Sequence, residues 1–160
     1  MAAPTIRPQH TSLADLPPKP TSLRIEFAVN LKSARETSAA IRAFLSEQGV
    51  PDGELFSYEL CVAEACYNAI EYAKDPKGES TAFAEVIFIP EEIVLRVTDH
   101  TEGFTMPEKI PAPSPMSERG RGLFIIQSIM DDVEYIRGRN ENVLVMRKRR
   151  NAHAALQVAK

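Results

Sequence analysis

What this sequence lacks already excludes several classes of protein. No apolar run approaches the roughly 20 residues that a membrane-spanning helix needs. The N-terminus has no charged region followed by an apolar one, so no secretory signal peptide is evident. The net charge of −3 argues against a general nucleic-acid surface. We therefore expect a cytoplasmic protein that binds neither membrane nor nucleic acid.

Cysteine and histidine are too few and too scattered for a disulfide framework or a histidine-based metal site. Cys61 and Cys66 lie five residues apart, which on a helix points their side chains in different directions. Neither belongs to a CxxC motif. The histidines at positions 10, 100 and 153 show no metal-ligand spacing. Both cysteines are expected to be reduced, in agreement with a cytoplasmic location.

The length of 160 residues predicts one domain with enough mass for a hydrophobic core. Residues 1–20 are rich in proline and poor in apolar periodicity, which is typical of a disordered tail. Residues 151–160 are expected to form a second flexible tail, so the folded domain covers residues 21–150. Four basic residues end this domain, at positions 147–150, and a solvated strand end explains them.

Alternating apolar residues predict five strands. The first covers Leu23–Val29, and the next two, Thr81–Ile89 and Ile93–Val97, form a hairpin because only a short turn separates them. A final hairpin is predicted over Val133–Arg137 and Val143–Arg147. Antiparallel pairing should therefore dominate the sheet.

Three helices are predicted between these strands. Ser33 and Glu36 form a capping-box pattern that should start the first helix. Asp52 is the expected N-cap of the second, and the third should follow Gly120 and end at Met130. Strands and helices in this order predict an α/β (α+β) two-layer sandwich, with helices on one face of a mostly antiparallel sheet.

The second helix is the most informative stretch. Its apolar face is expected to consist of residues at three- and four-residue steps: Leu60, Ala63, Tyr67 and Ile70. Glu64 and Asn68 lie one helical turn apart beside that face. An amide oxygen is a suitable ligand for a hard cation, and a carboxylate can accept a proton from a hydroxyl group. Surface exposure of the pair is the alternative interpretation.

Two further motifs carry candidate chemistry. Asp99 ends a predicted strand and Gly103 follows four residues later, so an acid and a flexible backbone position lie together. Gly120 and Gly122 open the third helix, where free N–H groups suit phosphate. Between these motifs, residues 100–119 show no regular pattern and contain four prolines, which indicates a long functional loop such as a lid.

Together the three motifs resemble those of the Bergerat-fold (GHKL) ATPases. EACYNAIEYA is similar to the N box, DHTEGF to the G1 box and ERGRGLFII to the G2 box. The small size and the Met130-Asp-Asp-Val133 sequence resemble more narrowly the anti-sigma-factor serine/threonine kinases of the RsbW and SpoIIAB type. The resemblance covers roughly residues 22 to 149.

The resemblance implies ATP and Mg²⁺ as cofactors and assigns a role to each matching residue. Asn68 would bind Mg²⁺, Glu64 would be the general base, and Asp99 would recognise the adenine amino group. The other implied nucleotide contacts are Gly103, Gly120, Arg121, Gly122 and Leu123. The implied partners are a STAS-type anti-sigma-factor antagonist, which would be phosphorylated, and a sigma factor or equivalent regulator. Relatives of this type are often homodimers.

Two positions depart from the family pattern. Thr101 stands where the G1 box usually has an additional glycine, and a Cβ there is expected to narrow the adenine pocket or weaken affinity. Tyr72 stands where many relatives have histidine. Thr101 motivates an alternative function, a non-catalytic nucleotide-binding module that sequesters a regulator. The catalytic domain of a histidine kinase is a third interpretation, disfavoured because His10 lies in the proline-rich tail rather than on a helical hairpin.

Overall fold

One antiparallel sheet organises the structure, a computed structural model that describes residues 21–115 and 121–151. Across the sheet the strands follow the order β1-β2-β3-β5-β4, and every neighbouring pair in this described part is antiparallel. The strands are β1 (Thr21–Ala28), β2 (Thr81–Ile89), β3 (Glu92–Asp99), β4 (Asp132–Arg137) and β5 (Asn142–Arg149). The predicted strands are thus confirmed, and the predicted tails lie mostly outside the described residues.

Among the described residues, three helices form the second layer: α1 (Leu31–Glu47), α2 (Asp52–Ala73) and α3 (Arg121–Ile129). They cover the sheet face that carries the buried members of each alternating strand, which include Ala82, Ala84, Val86, Ile93, Leu95, Val97, Leu144 and Met146. The predicted two-layer sandwich is therefore confirmed. Within the described ranges, no helix has both the length and the apolar character that crossing a membrane requires.

The N-terminus of α1 corrects one prediction. Asn30, rather than Ser33, is the N-cap, and its side chain accepts a hydrogen bond of 2.8 Å from the backbone N–H of Ser33. The predicted capping box therefore lies one turn too late. Asparagine caps a helix at least as well as serine, so the earlier candidate prevails.

The N-terminus of α2 corrects a second prediction. Pro51 occupies the N-cap position, no side chain caps the helix, and Asp52 is the first helical residue. The fixed φ of proline suits the entry to a helix. Asp52 and Glu54 instead place negative charge in the first turn, where the helix dipole favours it.

The buried face of α2 also differs from the predicted one. Fully buried positions are Leu55, Tyr58, Cys61, Val62, Ala65, Cys66 and Ala69, whereas Leu60, Ala63, Tyr67 and Ile70 are only half-buried. The helix contacts α1 and α3 as well as the sheet, so its buried arc is wide. Both cysteines lie in this arc as free thiols, as predicted. Glu64 and Asn68 are left on the shoulder that faces α3.

The chain between β3 and α3 has no helix or strand over residues 100–115, as its prolines predicted, and residues 116–120 lie outside the described part.

Arg150 departs from the expected solvated strand end. Its side chain is 6% exposed, forms an ion pair of 3.4 Å with Glu54 and lies over the ring of Phe88. This contact ties the end of the sheet to the first turn of α2.

Candidate functional site

Glu64 and Asn68 face the first turn of α3. A Cβ atom built on Gly122 would lie 2.8 Å from Oε2 of Glu64 and 3.7 Å from Oδ1 of Asn68. The absence of a side chain at position 122 therefore lets the start of α3 approach both polar groups. We call these three residues, Glu64, Asn68 and Gly122, the helix corner.

Neither polar side chain in the helix corner has a partner within the described residues. The Asn68 Nδ2 atom is buried and makes no hydrogen bond, which is unusual because an unsatisfied buried amide costs free energy. Glu64 forms no hydrogen bond or ion pair with another described residue, and burial raises the pKa of its carboxyl group. An unsatisfied buried amide beside a carboxyl group with a raised pKa is typical of a site that binds a ligand.

The second part of the candidate site is the turn that follows β3. Asp99 is 8% exposed, and its Oδ1 atom accepts hydrogen bonds from the backbone N–H of Thr101 at 3.0 Å and from the Thr101 hydroxyl at 2.8 Å. The same hydroxyl accepts a hydrogen bond of 3.0 Å from the backbone N–H of Gly103. Thr101 thus closes the turn with its side chain.

Asn142 joins this turn from the neighbouring strand, and its role was not predicted from the sequence. It lies directly opposite Asp99 in the β3–β5 register and is 2% exposed. Its Nδ2 donates to Asp99 Oδ1 at 3.2 Å and to the carbonyl oxygen of Thr101 at 2.8 Å. We call Asp99, Thr101, Gly103 and Asn142 the strand turn. An asparagine beside a predicted hairpin turn gives no sequence signal of such a role.

Gly103 is required by the strand turn for two reasons. Its φ of +76° lies in the left-handed region that residues with a side chain rarely adopt. A Cβ atom there would also lie 2.6 Å from the hydroxyl oxygen of Tyr135 and 3.0 Å from Nδ2 of Asn142. Backbone conformation and space therefore both require glycine at this position, and the approach of its backbone to a nucleotide stays a prediction.

An aromatic stack connects α2 to the strand turn. The ring of Phe104 lies 5.1 Å from that of Tyr72 and 4.0 Å from that of Tyr135, with nearly parallel planes in both pairs. Tyr72 is one helical turn beyond Asn68 on α2, so the stack brings the helix corner and the strand turn to neighbouring parts of the fold. Tyr72, at a position where the family that the sequence resembles often has histidine, thus makes an aromatic contact.

The Tyr135 hydroxyl is buried and forms no hydrogen bond, although the N–H of Phe104 lies near it. Burial raises the pKa of Tyr135, and the negative charge of Asp99 raises it further. This tyrosine, which was not predicted from the sequence, therefore places an unsatisfied polar group beside Asp99.

Two predicted nucleotide contacts, Arg121 and Leu123, have other described contacts, and the third is not described. Arg121 is exposed and donates a hydrogen bond of 3.1 Å to the carbonyl oxygen of Pro115, so its guanidinium group binds the loop that precedes α3. Leu123 is half-buried and packs against the hydrophobic core. Gly120 lies outside the described residues.

The described side chains could not hold a metal ion unaided. No group of three or more histidine, cysteine, aspartate or glutamate residues in that part of the chain has suitable geometry. Asn68 offers a single amide oxygen, which fits Mg²⁺ only where phosphate oxygens and water supply the remaining ligands. The orphaned carboxamide of Asn68 is compatible with such a shared site.

Comparison with known families defines the class of protein. Residues 27–148 match the histidine kinase-like ATPase domain, and the chain belongs to this family. It is an ATPase domain of the GHKL type, as its three boxes predicted. Among curated proteins, none matches the chain.

Solved structures support the fold. The chain is similar to the structure of the RsbU and RsbW domains of Rv1364c from Mycobacterium tuberculosis, with a TM-score of 0.62 and 14% identity over 82% of this chain. It covers 33% of that longer chain. It is also similar to a chain in the SiaB–SiaC complex from Pseudomonas aeruginosa, with a TM-score of 0.52 and 14% identity over 80% of this chain and 89% of that one.

Proposed function

We propose that the protein is an ATP- and Mg²⁺-dependent serine/threonine kinase and anti-sigma factor of a partner-switching pathway. Its substrate would be a small STAS-type antagonist, and its other partner a sigma factor or equivalent regulator. The observation that carries the proposal is the placement of the Glu64 carboxylate beside the unsatisfied amide of Asn68. The similarity to a chain named as an RsbW domain, and to one in a two-protein complex, supports a protein partner.

In the proposed reaction, Glu64 accepts the proton of a serine or threonine hydroxyl as its oxygen bonds to the γ-phosphorus of ATP. The bond between that phosphorus and the β,γ-bridging oxygen breaks, and ADP leaves. Asn68 would contribute one oxygen ligand to Mg²⁺, which neutralises phosphate charge when bound. Asp99 would accept a hydrogen bond from the adenine amino group.

The raised pKa of Glu64 is consistent with the role of a general base. A carboxyl group whose pKa is raised by burial is a stronger base than an ordinary glutamate. Because the base must be deprotonated, transfer should increase as pH rises through this pKa. The acidic limb of the pH–rate profile is therefore expected above the ordinary pKa of glutamate.

The test is transfer of label from γ-labelled ATP, with Mg²⁺, to a purified STAS-domain protein from the same organism. We expect transfer by the wild type, and a decrease of at least about 100-fold in Glu64→Gln with ATP binding retained. Glu71→Gln is the matched control, because Glu71 is an exposed carboxylate on the same helix. Undiminished transfer by Glu64→Gln would exclude the base role.

A non-catalytic nucleotide-binding module is the second candidate, and Thr101 favours it because the family glycine is absent there. The same proteins distinguish the two functions. Binding of ATP, measured by calorimetry, without transfer to any STAS-domain protein would favour the module over the kinase.

A further inference from the structure

The Oδ1 atom of Asp99 is fully occupied by hydrogen-bond donors. It receives the N–H and the hydroxyl of Thr101 and the amide of Asn142, at 3.0, 2.8 and 3.2 Å. A carboxylate oxygen has about two lone-pair sites, so Oδ1 has no capacity for a ligand. No described hydrogen bond ends on Oδ2, and this oxygen is the one left to recognise a ligand.

The orientation of the Asn142 side chain is unambiguous. Both of its close partners, Asp99 Oδ1 and the carbonyl oxygen of Thr101, are acceptors, so the amide nitrogen must face them. Its location in the β3–β5 register and its near-complete burial keep it there. Asn142 therefore restrains the rotation of the Asp99 carboxylate and the position of Thr101 together.

Thr101 completes this arrangement rather than obstructing it. Its hydroxyl donates to Asp99 and accepts from the N–H of Gly103, so it links the acid to the glycine that follows. A glycine at position 101 could make neither contact. A Cβ at this position was expected to narrow the adenine pocket or weaken affinity. The same side chain, however, forms two hydrogen bonds that a glycine would lack.

We propose that Asn142 is a positioning residue, assisted by Thr101, that determines selectivity for the amino group at C6 of the purine. This inference rests on the proposed function, in which Asp99 recognises adenine. A carboxylate held by three donors presents Oδ2 as an acceptor only. An amino group at C6 can donate to it, whereas a carbonyl group would place two acceptors face to face.

The test is calorimetric titration of the full chain with three nucleotides: ATP, inosine triphosphate, which has a carbonyl at C6, and purine riboside triphosphate, which has hydrogen there. The wild type should bind ATP at least about tenfold more tightly than either analogue. In Asn142→Ala and Thr101→Val this preference should fall to about threefold or less, and Thr101→Ser should restore it.

The ratio of affinities separates a positioning role from general destabilisation, because a destabilised fold lowers the affinity for all three nucleotides alike. Asn140→Ala is the control, since Asn140 is exposed in the adjoining turn. Thermal unfolding checks that each variant is folded. If Asn142→Ala does not fold, the nucleotide preference of Thr101→Val tests the inference instead. An unchanged preference in a folded variant would overturn this inference alone, whereas no binding of ATP by the wild type would overturn the proposed function as well.

Discussion

The helix corner and the strand turn differ in how their polar side chains are paired. In the strand turn, the side chains of Asp99, Thr101 and Asn142 bond to one another, so their geometry is fixed before any ligand arrives. In the helix corner, Glu64 lacks a described partner and Asn68 has an unsatisfied amide. Under the proposed function, the difference teaches that the groups for recognition are preorganised by internal hydrogen bonds, whereas the groups for reaction are kept available at a cost in stability.

The largest expected effect is on the strand turn. Gly103→Ala should lower the free energy of unfolding by about 2–4 kcal/mol, because a Cβ there meets the Tyr135 hydroxyl and φ is +76°. Gly53→Ala is the matched control: nothing lies within 4 Å of its Cβ position, and alanine favours a helix. Chemical denaturation measures both. Equal effects would show that the turn is not restrained as described.

The two asparagines should respond in opposite directions to the same substitution. Asn142→Ala leaves acceptors unsatisfied and should lower the free energy of unfolding by about 1–3 kcal/mol. Asn68→Ala removes a buried unsatisfied amide from a helix and should raise it by about 1 kcal/mol. Asn68→Ala should also weaken Mg²⁺-dependent binding of ATP. Destabilisation by both changes would remove the contrast between the two clusters.

The smallest expected effect concerns Glu64. Because burial raises its pKa, the folded state holds the proton more tightly than the unfolded chain, and stability falls as pH rises from the ordinary glutamate pKa to the raised one. At neutral pH, Glu64→Gln should therefore raise Tm by up to a few degrees. The gain should shrink towards about pH 4. Thermal unfolding at both pH values measures this, and a lower Tm for the variant at neutral pH would contradict it.

The sequence predicted the sheet more accurately than the helix details. β2 has the predicted bounds, because alternation over nine residues is a strong signal. The cap of α1 was misplaced because Asn30 and Ser33 are both good cap residues, and only the structure shows which side chain accepts. The face of α2 was misjudged because a helix packed on three sides has no single apolar stripe.

Within the candidate site, residues close in sequence could be grouped from the sequence, whereas residues brought together by strand pairing could not. Glu64 and Asn68 could be paired from the sequence because they are one turn apart on one helix. Asn142 could not, because it is 43 residues from Asp99 and only the β3–β5 register brings the two together. The hydroxyl of Tyr135 was missed for the same reason.

The stack of Phe104 between Tyr72 and Tyr135 has a practical consequence. The chain contains no tryptophan and four tyrosines, so half of its tyrosines belong to the stack that adjoins the strand turn. Intrinsic tyrosine emission, without any attached dye, should therefore follow nucleotide occupancy directly. We expect this emission to report on the proposed adenine site beside Asp99.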